Sequence, residues 1–232
     1  MTRRALALNQ NSFIDYSYNE AIKKLRTNIQ FCGSNVRIVM FTSAVPDEGK
    51  SELTFETARS LGQIGKKVLL IDADIRKSVL ASRCHITQEV DGLSQYLSGQ
   101  RSVEEIIYDT DIENLSVVFA GPYAPNPSEL LEDEQLSKLL EYSRQCFDYI
   151  LIDTPPMANL IDGAIVARHC DGVIMVIESG AISYRLEQKV KSQLEKSGCR
   201  ILGAVLNKVD LRAEGYYGKY GKYGSYSRYG EP

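Results

Sequence analysis

Met40-Phe41-Thr42-Ser43-Ala44-Val45-Pro46-Asp47-Glu48-Gly49-Lys50-Ser51 is the stretch from which the fold is read. An apolar run over residues 36–41 stops, a short loop follows, and Gly49-Lys50-Ser51 opens a segment with helical spacing. Strand, loop and helix in this order make a phosphate-binding loop. Its backbone N–H groups and the helix dipole both face an anion. Lys50 is expected on the β- and γ-phosphates and the Ser51 hydroxyl on Mg²⁺. Ala44 stands where the first glycine of such loops falls, and Asp47 puts a carboxylate inside the loop at a position a glycine would suit. Asp47, Glu48, Gly49, Lys50, Ser51 and Glu52 are the expected nucleotide-binding residues, with Glu52 where a second hydroxyl often follows.

Outward from this loop, apolar runs at 68–71, 115–119, 149–152, 173–177 and 201–206 alternate with helical patterns at 51–64, 129–146 and 183–197. Most of the runs are continuous, as in parallel strands covered on both faces. In the 129–146 pattern Leu136, Leu139, Leu140 and Phe147 mark the apolar face. The repetition, together with the phosphate-binding loop, predicts a doubly wound α/β fold with a mainly parallel sheet of P-loop NTPase type. Ligands of such sheets sit at the carboxyl ends of the strands.

Two such ends carry acids. Residues 68–71 deliver Asp72-Ala73-Asp74-Ile75-Arg76, two carboxylates two residues apart, which suits a hard cation. Burying them without a cation or an arginine would cost several kcal/mol. The run Tyr149-Ile150-Leu151-Ile152 ends in Asp153, the Walker B pattern, before Thr154-Pro155-Pro156 stops the strand. Ser51, Asp72, Asp74 and Asp153 are thus the expected Mg²⁺ set. Asn207-Lys208-Val209-Asp210 matches the guanine-reading N-K-x-D pattern, but Asp153-Thr154-Pro155-Pro156 is not the D-x-x-G that senses a γ-phosphate. Asn207 is expected to touch the base; the role of Asp210 stays open.

The composition, 44% hydrophobic and 25% charged over 232 residues, is that of a soluble globular chain. A net charge of −3 argues against a nucleic-acid partner. Five scattered cysteines without C-x-x-C spacing read as buried thiols in a reducing compartment. No apolar run is long enough to span a bilayer and no signal-peptide pattern follows the first residues, so a cytoplasmic location is expected. Residues 18–31 place Tyr18, Ala21, Ile22, Leu25 and Ile29 on one helical stripe, with Glu20, Lys23 and Arg26 beside it.

After Arg212 the sequence turns to glycine, charge and tyrosine: Tyr216, Tyr217, Tyr220, Tyr223, Tyr226 and Tyr229 are six of the chain's fourteen tyrosines. Such a segment has nothing with which to build a core. The chain divides into a P-loop domain over 1–212 and a tyrosine-rich tail over 213–232. Beside a nucleotide site, the tail reads as a phosphate acceptor.

Together these features resemble the bacterial tyrosine kinases (BY-kinases). The P-loop of that family falls on residues 44–51, its Walker A′ motif on 69–76 and its Walker B motif on 150–153. Gly92-Leu93-Ser94 and the stretch from Pro125 to Leu130 are also similar to segments seen there. The family's oligomerisation motif E-x-x-R-x-x-R falls on Glu20, Lys23 and Arg26, with lysine at the first arginine position. The resemblance implies ATP and Mg²⁺ as cofactors and Lys50, Asp72 and Asp74 as catalytic residues, with Asp72 taking the phenol proton. It implies transfer between subunits of a homo-oligomeric ring onto the six tail tyrosines. It also implies a transmembrane activator of the polysaccharide co-polymerase kind, recruitment to the inner face of the membrane, a cognate phosphotyrosine phosphatase, and a part in capsule or exopolysaccharide synthesis and export. The partitioning and cell-division ATPases share the fold but carry a signature lysine that would fall at Val45. Two other readings stay open on the residues alone: a positioning ATPase or GTPase, and a nucleotide-gated scaffold.

Overall fold

The computed structural model describes residues 4–8, 15–86 and 88–210. In chain order these form β1 (Arg4–Leu6), α1 (Tyr16–Phe31), β2 (Ile38–Ser43), α2 (Lys50–Gly62), β3 (Val68–Asp72), α3 (Leu80–Arg83), α4 (Leu93–Leu97), α5 (Val103–Ile106), β4 (Tyr108–Thr110) and β5 (Leu115–Val118). There follow α6 (Pro127–Glu132), α7 (Glu134–Cys146), β6 (Tyr149–Asp153), α8 (Asp162–Ala167), β7 (Gly172–Glu178), α9 (Tyr184–Lys196) and β8 (Ile201–Asn207). The tail tyrosines Tyr216, Tyr217, Tyr220, Tyr223, Tyr226 and Tyr229 lie outside the described residues.

The strands make one sheet in the order β1-β4-β5-β3-β6-β2-β7-β8. Every neighbouring pair is parallel except β4–β5. The continuous apolar runs now have their reason, because alternate residues feed two cores. Ile38 and Met40 of β2, with Leu69 and Ile71 of β3, pack against α4, α7, α8 and α9. Val39 and Phe41, with Val68 and Leu70, pack against α1 and α2 on the other face. All six residues of β2 are buried. Each large apolar side chain so buried contributes about 1.5–3 kcal/mol, so a charge in β2 would be lost on either face.

The strand order places β2 inside the sheet, with β6 and then β3 on one side and β7 and then β8 on the other. The chain leaves β2 for β3 and later returns to fill the gap with β6. The loops after β2, β3 and β6 therefore meet at one end of the sheet, where a ligand crevice is expected.

Several boundaries depart from the sequence pattern. The helix expected over 129–146 is two, because Asp133 is extended (ψ 153°) and its carboxylate accepts the N–H of Gln135 at 3.0 Å, starting α7 afresh. Phe147 lies just past the end of α7, although it is buried with the rest of that face. On α1, Ile22 and Ile29 are buried as expected, but Ala21 is exposed. Of the cysteines only Cys84 and Cys199 are buried; Cys32, Cys146 and Cys170 are half-buried. Strands β1 and β4, three residues each, sit at the sheet margin and are too short to show a period. No helix among the described residues is long and apolar enough to cross a membrane.

Candidate active site

The loop between β2 and α2 is wound by residues of unusual backbone geometry. Gly49 has φ +86°, which glycine adopts freely. A Cβ there would also lie 2.2 Å from Asn207 Nδ2, so both conformation and space require glycine. Asp47 has φ +65° without being glycine. The side chain of Glu48, only 1% exposed, accepts N–H groups from Val45 at 2.9 Å and from Glu178 at the end of β7 at 3.0 Å. Glu48, expected at the nucleotide, lines the cavity, while its carboxylate staples the loop to the sheet.

Lys50 opens α2 and is nearly buried, with Nζ donating to Asp153 Oδ1 at 3.0 Å and to Ser51 Oγ at 3.2 Å. Asp72 and Asp153 end neighbouring strands in direct register. Asp72 accepts from the Ser78 hydroxyl and from the Asp74 N–H at 3.1 Å. Burial, then the facing charge of Asp153, pushes the Asp72 carboxyl above the usual carboxylate range, against those two hydrogen bonds. Burial also raises Asp153, opposed by Lys50 and Ser51. Asp74 accepts from the Lys77 N–H at 3.0 Å.

Lys50, Ser51, Asp72, Asp74 and Asp153 line one cavity of about 270 Å³, together with Asp47, Glu48 and Gly49. The sequence had separated these groups by more than a hundred positions. Two expected residues lie elsewhere among the described residues. Glu52 is on the outer side of α2, 3.6 Å from Arg83, because the helix turns it to solvent. Asn207 gives its amide to the Glu48 carbonyl at 2.9 Å, behind the loop. The α1 triad is divided as well. Lys23 pairs with Glu20 at 2.7 Å on the surface, whereas Arg26 turns inward to the carbonyl and hydroxyl of Ser60, each at 3.1 Å.

Pattern reading missed other residues of the cavity wall. Arg76 reaches the fully buried Asp162 at 3.0 Å and Ser128 at 2.8 Å. Burial pushes the Asp162 carboxyl up, but Arg76 and Ser128 together hold it below the usual range. Lys77 and Arg83 add cations to the cavity lining. Only Arg76 had a local signal, as the residue that closes Asp-x-Asp-x-Arg.

The donor set suits Mg²⁺. A hydroxyl and buried carboxylates are hard oxygen donors, and two like charges side by side are at ease only beside a cation. Among the described residues no three acidic, histidine or cysteine side chains converge as a ready cage. Mg²⁺ does not need one, since it keeps waters and takes phosphate oxygens.

Comparison with known proteins agrees with this geometry. The family described as an AAA domain matches residues 36–196. A curated tyrosine-protein kinase CpsD of Streptococcus agalactiae is 44% identical over 191 residues, covering 82% of each chain. The chain belongs to the bacterial tyrosine kinases. The tyrosine-protein kinase YwqD of Bacillus subtilis matches over 94% of this kinase and 92% of its own length at 34% identity. The kinase domain of Escherichia coli tyrosine kinase ETK superposes with a TM-score of 0.81 at 33% identity, covering 87% of this kinase and 79% of that chain. The doubly wound P-loop fold read from the sequence is thus that of a tyrosine-protein kinase, and an ATP-using one.

Proposed function

We propose that this tyrosine kinase transfers the γ-phosphate of ATP to its own C-terminal tyrosines, Tyr216, Tyr217, Tyr220, Tyr223, Tyr226 and Tyr229, from one subunit to its neighbour in a homo-oligomeric ring. The observation that carries the reading is the convergence of Lys50, Ser51, Asp72, Asp74 and Asp153 on one cavity at the carboxyl end of the sheet.

Phosphoryl transfer is chiefly positioning and charge neutralisation around a loose transition state. The loop amides and Lys50 hold the β- and γ-phosphates, and Lys50 exchanges its resting partner Asp153 for them. Ser51, Asp72, Asp74 and Asp153 would hold Mg²⁺ directly or through water, and the ion would supply positive charge beside the phosphates. The bond from Pγ to the ADP oxygen breaks as the tyrosine oxygen bonds to phosphorus. The phenol proton passes to Asp72 late, as charge develops on the phenol oxygen. Asp74 orients Asp72 through its backbone N–H.

Glu20, Lys23 and Arg26 contribute to the ring contact, with Arg26 acting mainly through its hold on α2. The kinase serves capsule or exopolysaccharide synthesis and export, recruited to the membrane by a transmembrane activator and reset by a phosphotyrosine phosphatase. Each phosphotyrosine adds roughly −1.5 to −2 charges, so several per tail loosen the ring by repulsion. Mixing a Lys50→Met protein with an active protein that lacks residues 213–232 tests the transfer. Labelled phosphate on the Lys50→Met tail is expected; a tail that stays unlabelled overturns transfer between subunits.

A further inference from the structure

The phosphate-binding loop is gripped from the ends of β7 and β8 by groups outside the cavity lining. Lys208 Nζ donates to Glu178 Oε2 at 2.8 Å and to the carbonyl of Asp47. Asn207 Nδ2 donates to the Glu48 carbonyl and packs against Gly49. Glu178 is itself fixed, since its N–H donates to Glu48 Oε1 at 3.0 Å. The Ser179 N–H joins the two strand ends through the Asn207 carbonyl at 2.9 Å. Three successive loop residues, Asp47, Glu48 and Gly49, are therefore held from one side.

The backbone adds a second observation. Asp47 (φ +65°) and Lys208 (φ +54°) are both left-handed without being glycine. Such residues persist only where their surroundings over-determine them, and they cluster at ligand clamps. Here the two are tied directly to each other by the Lys208 ammonium on the Asp47 carbonyl. The Asn-Lys-x-Asp stretch, which on sequence resembled a base reader, thus supplies a brace for the loop.

We propose that Lys208 is a positioning residue for ATP, whose ammonium holds the loop turn at Asp47 in its phosphate-ready shape. The inference rests on the reading of residues 44–51 as the ATP site. Without the ammonium, the Asp47 carbonyl loses its direct tie, the left-handed turn is held only through Glu48 and Asn207, and the loop amides lose part of their common aim. Lys208 also stands just before the tyrosine-bearing segment, so the brace links the root of the acceptor chain to the nucleotide loop.

The test compares Lys208→Met, Lys208→Gly, Lys208→Arg and Lys50→Met for ATP binding, KM, kcat and Tm. Losing a charge-assisted hydrogen bond predicts an ATP KM raised about tenfold in Lys208→Met, with kcat changed by less than about threefold. Lys208→Arg keeps KM within about threefold of wild type, because it retains the donor charge. Lys208→Gly shows the same KM loss as Lys208→Met with Tm unchanged or raised, since glycine adopts the left-handed turn freely. That split separates loop positioning from a merely structural contact. The proposal fails if KM in the Met and Gly variants stays within about twofold of wild type, or if Lys208→Arg is as impaired as Lys208→Met. Lys50→Met distinguishes the two levels. If it binds ATP as wild type does, the loop reading itself fails; if it loses ATP while the Lys208 variants do not, the brace alone fails.

Discussion

Gly49→Ala isolates one contact whose cost follows from the geometry. Alanine at φ +86° pays a left-handed penalty of about 1–2 kcal/mol. Its methyl would also sit 2.2 Å from Asn207 Nδ2, so the amide must leave the Glu48 carbonyl. That lost hydrogen bond costs about 0.5–1.5 kcal/mol. A total of about 1.5–3.5 kcal/mol falls on the loop, which at 1.4 kcal/mol per decade weakens ATP binding roughly ten- to three-hundredfold. Asn207→Ala alone should weaken it about fivefold, because only the hydrogen bond is lost. In the double variant the clash has no partner and the hydrogen bond cannot be lost twice, so its affinity should equal that of Gly49→Ala within a small factor. Titration with a fluorescent ATP analogue and Mg²⁺, beside thermal melts that verify folding, gives the cycle. Strictly additive losses, or a Gly49→Ala protein that binds ATP like wild type, would refute the contact argument.

Arg76→Met leaves the fully buried Asp162 without its cation and should destabilise the fold by about 2–4 kcal/mol, a loss that Asp162→Asn in the same chain should reduce. Denaturant titration reads both. Glu187 on α9 is nearly buried, neither carboxylate oxygen has a hydrogen-bond partner, and burial followed by the charge of Glu48 pushes its carboxyl up to about 7. A raised folded value means that the folded state binds the extra proton. Stability should therefore fall as pH rises from about 4 to 7, and Glu187→Met should remove roughly 1–2 kcal/mol of that fall, tested by melts across pH. An unchanged pH profile in the variant would show that Glu187 is solvated.

The P-loop, the Asp-x-Asp and the strand-ending Asp153 were legible because each is a local pattern fixed by short-range geometry. The run 36–41 and the triplet Gly49-Lys50-Ser51 sufficed to place β2 and α2, and Asp47 was visible as a residue where glycine would be comfortable. Contacts between distant segments left no such trace. Asp162 meets Arg76 across 86 positions and Lys208 meets Asp47 across 161, so neither pairing has a spacing to read. The hold of the Glu48 carboxylate on β7 left no local trace either, because the burial that turns it there is a tertiary effect. The same holds for the Asn207 amide on the Glu48 carbonyl, 159 positions away. The break at Asp133 depended on one N-cap hydrogen bond inside an otherwise periodic stretch.

The central claim is that Lys50 and the acids around it form the ATP site from which the tail tyrosines are phosphorylated. Intact-mass spectrometry of purified wild-type and Lys50→Met proteins after incubation with ATP and Mg²⁺ addresses it most directly, with peptide mapping of residues 213–232. The wild type should gain successive phosphate masses that map to Tyr216, Tyr217, Tyr220, Tyr223, Tyr226 and Tyr229, while the folded Lys50→Met protein gains none. Equal phosphate on the two proteins, or phosphate confined to tyrosines outside the tail, would contradict it.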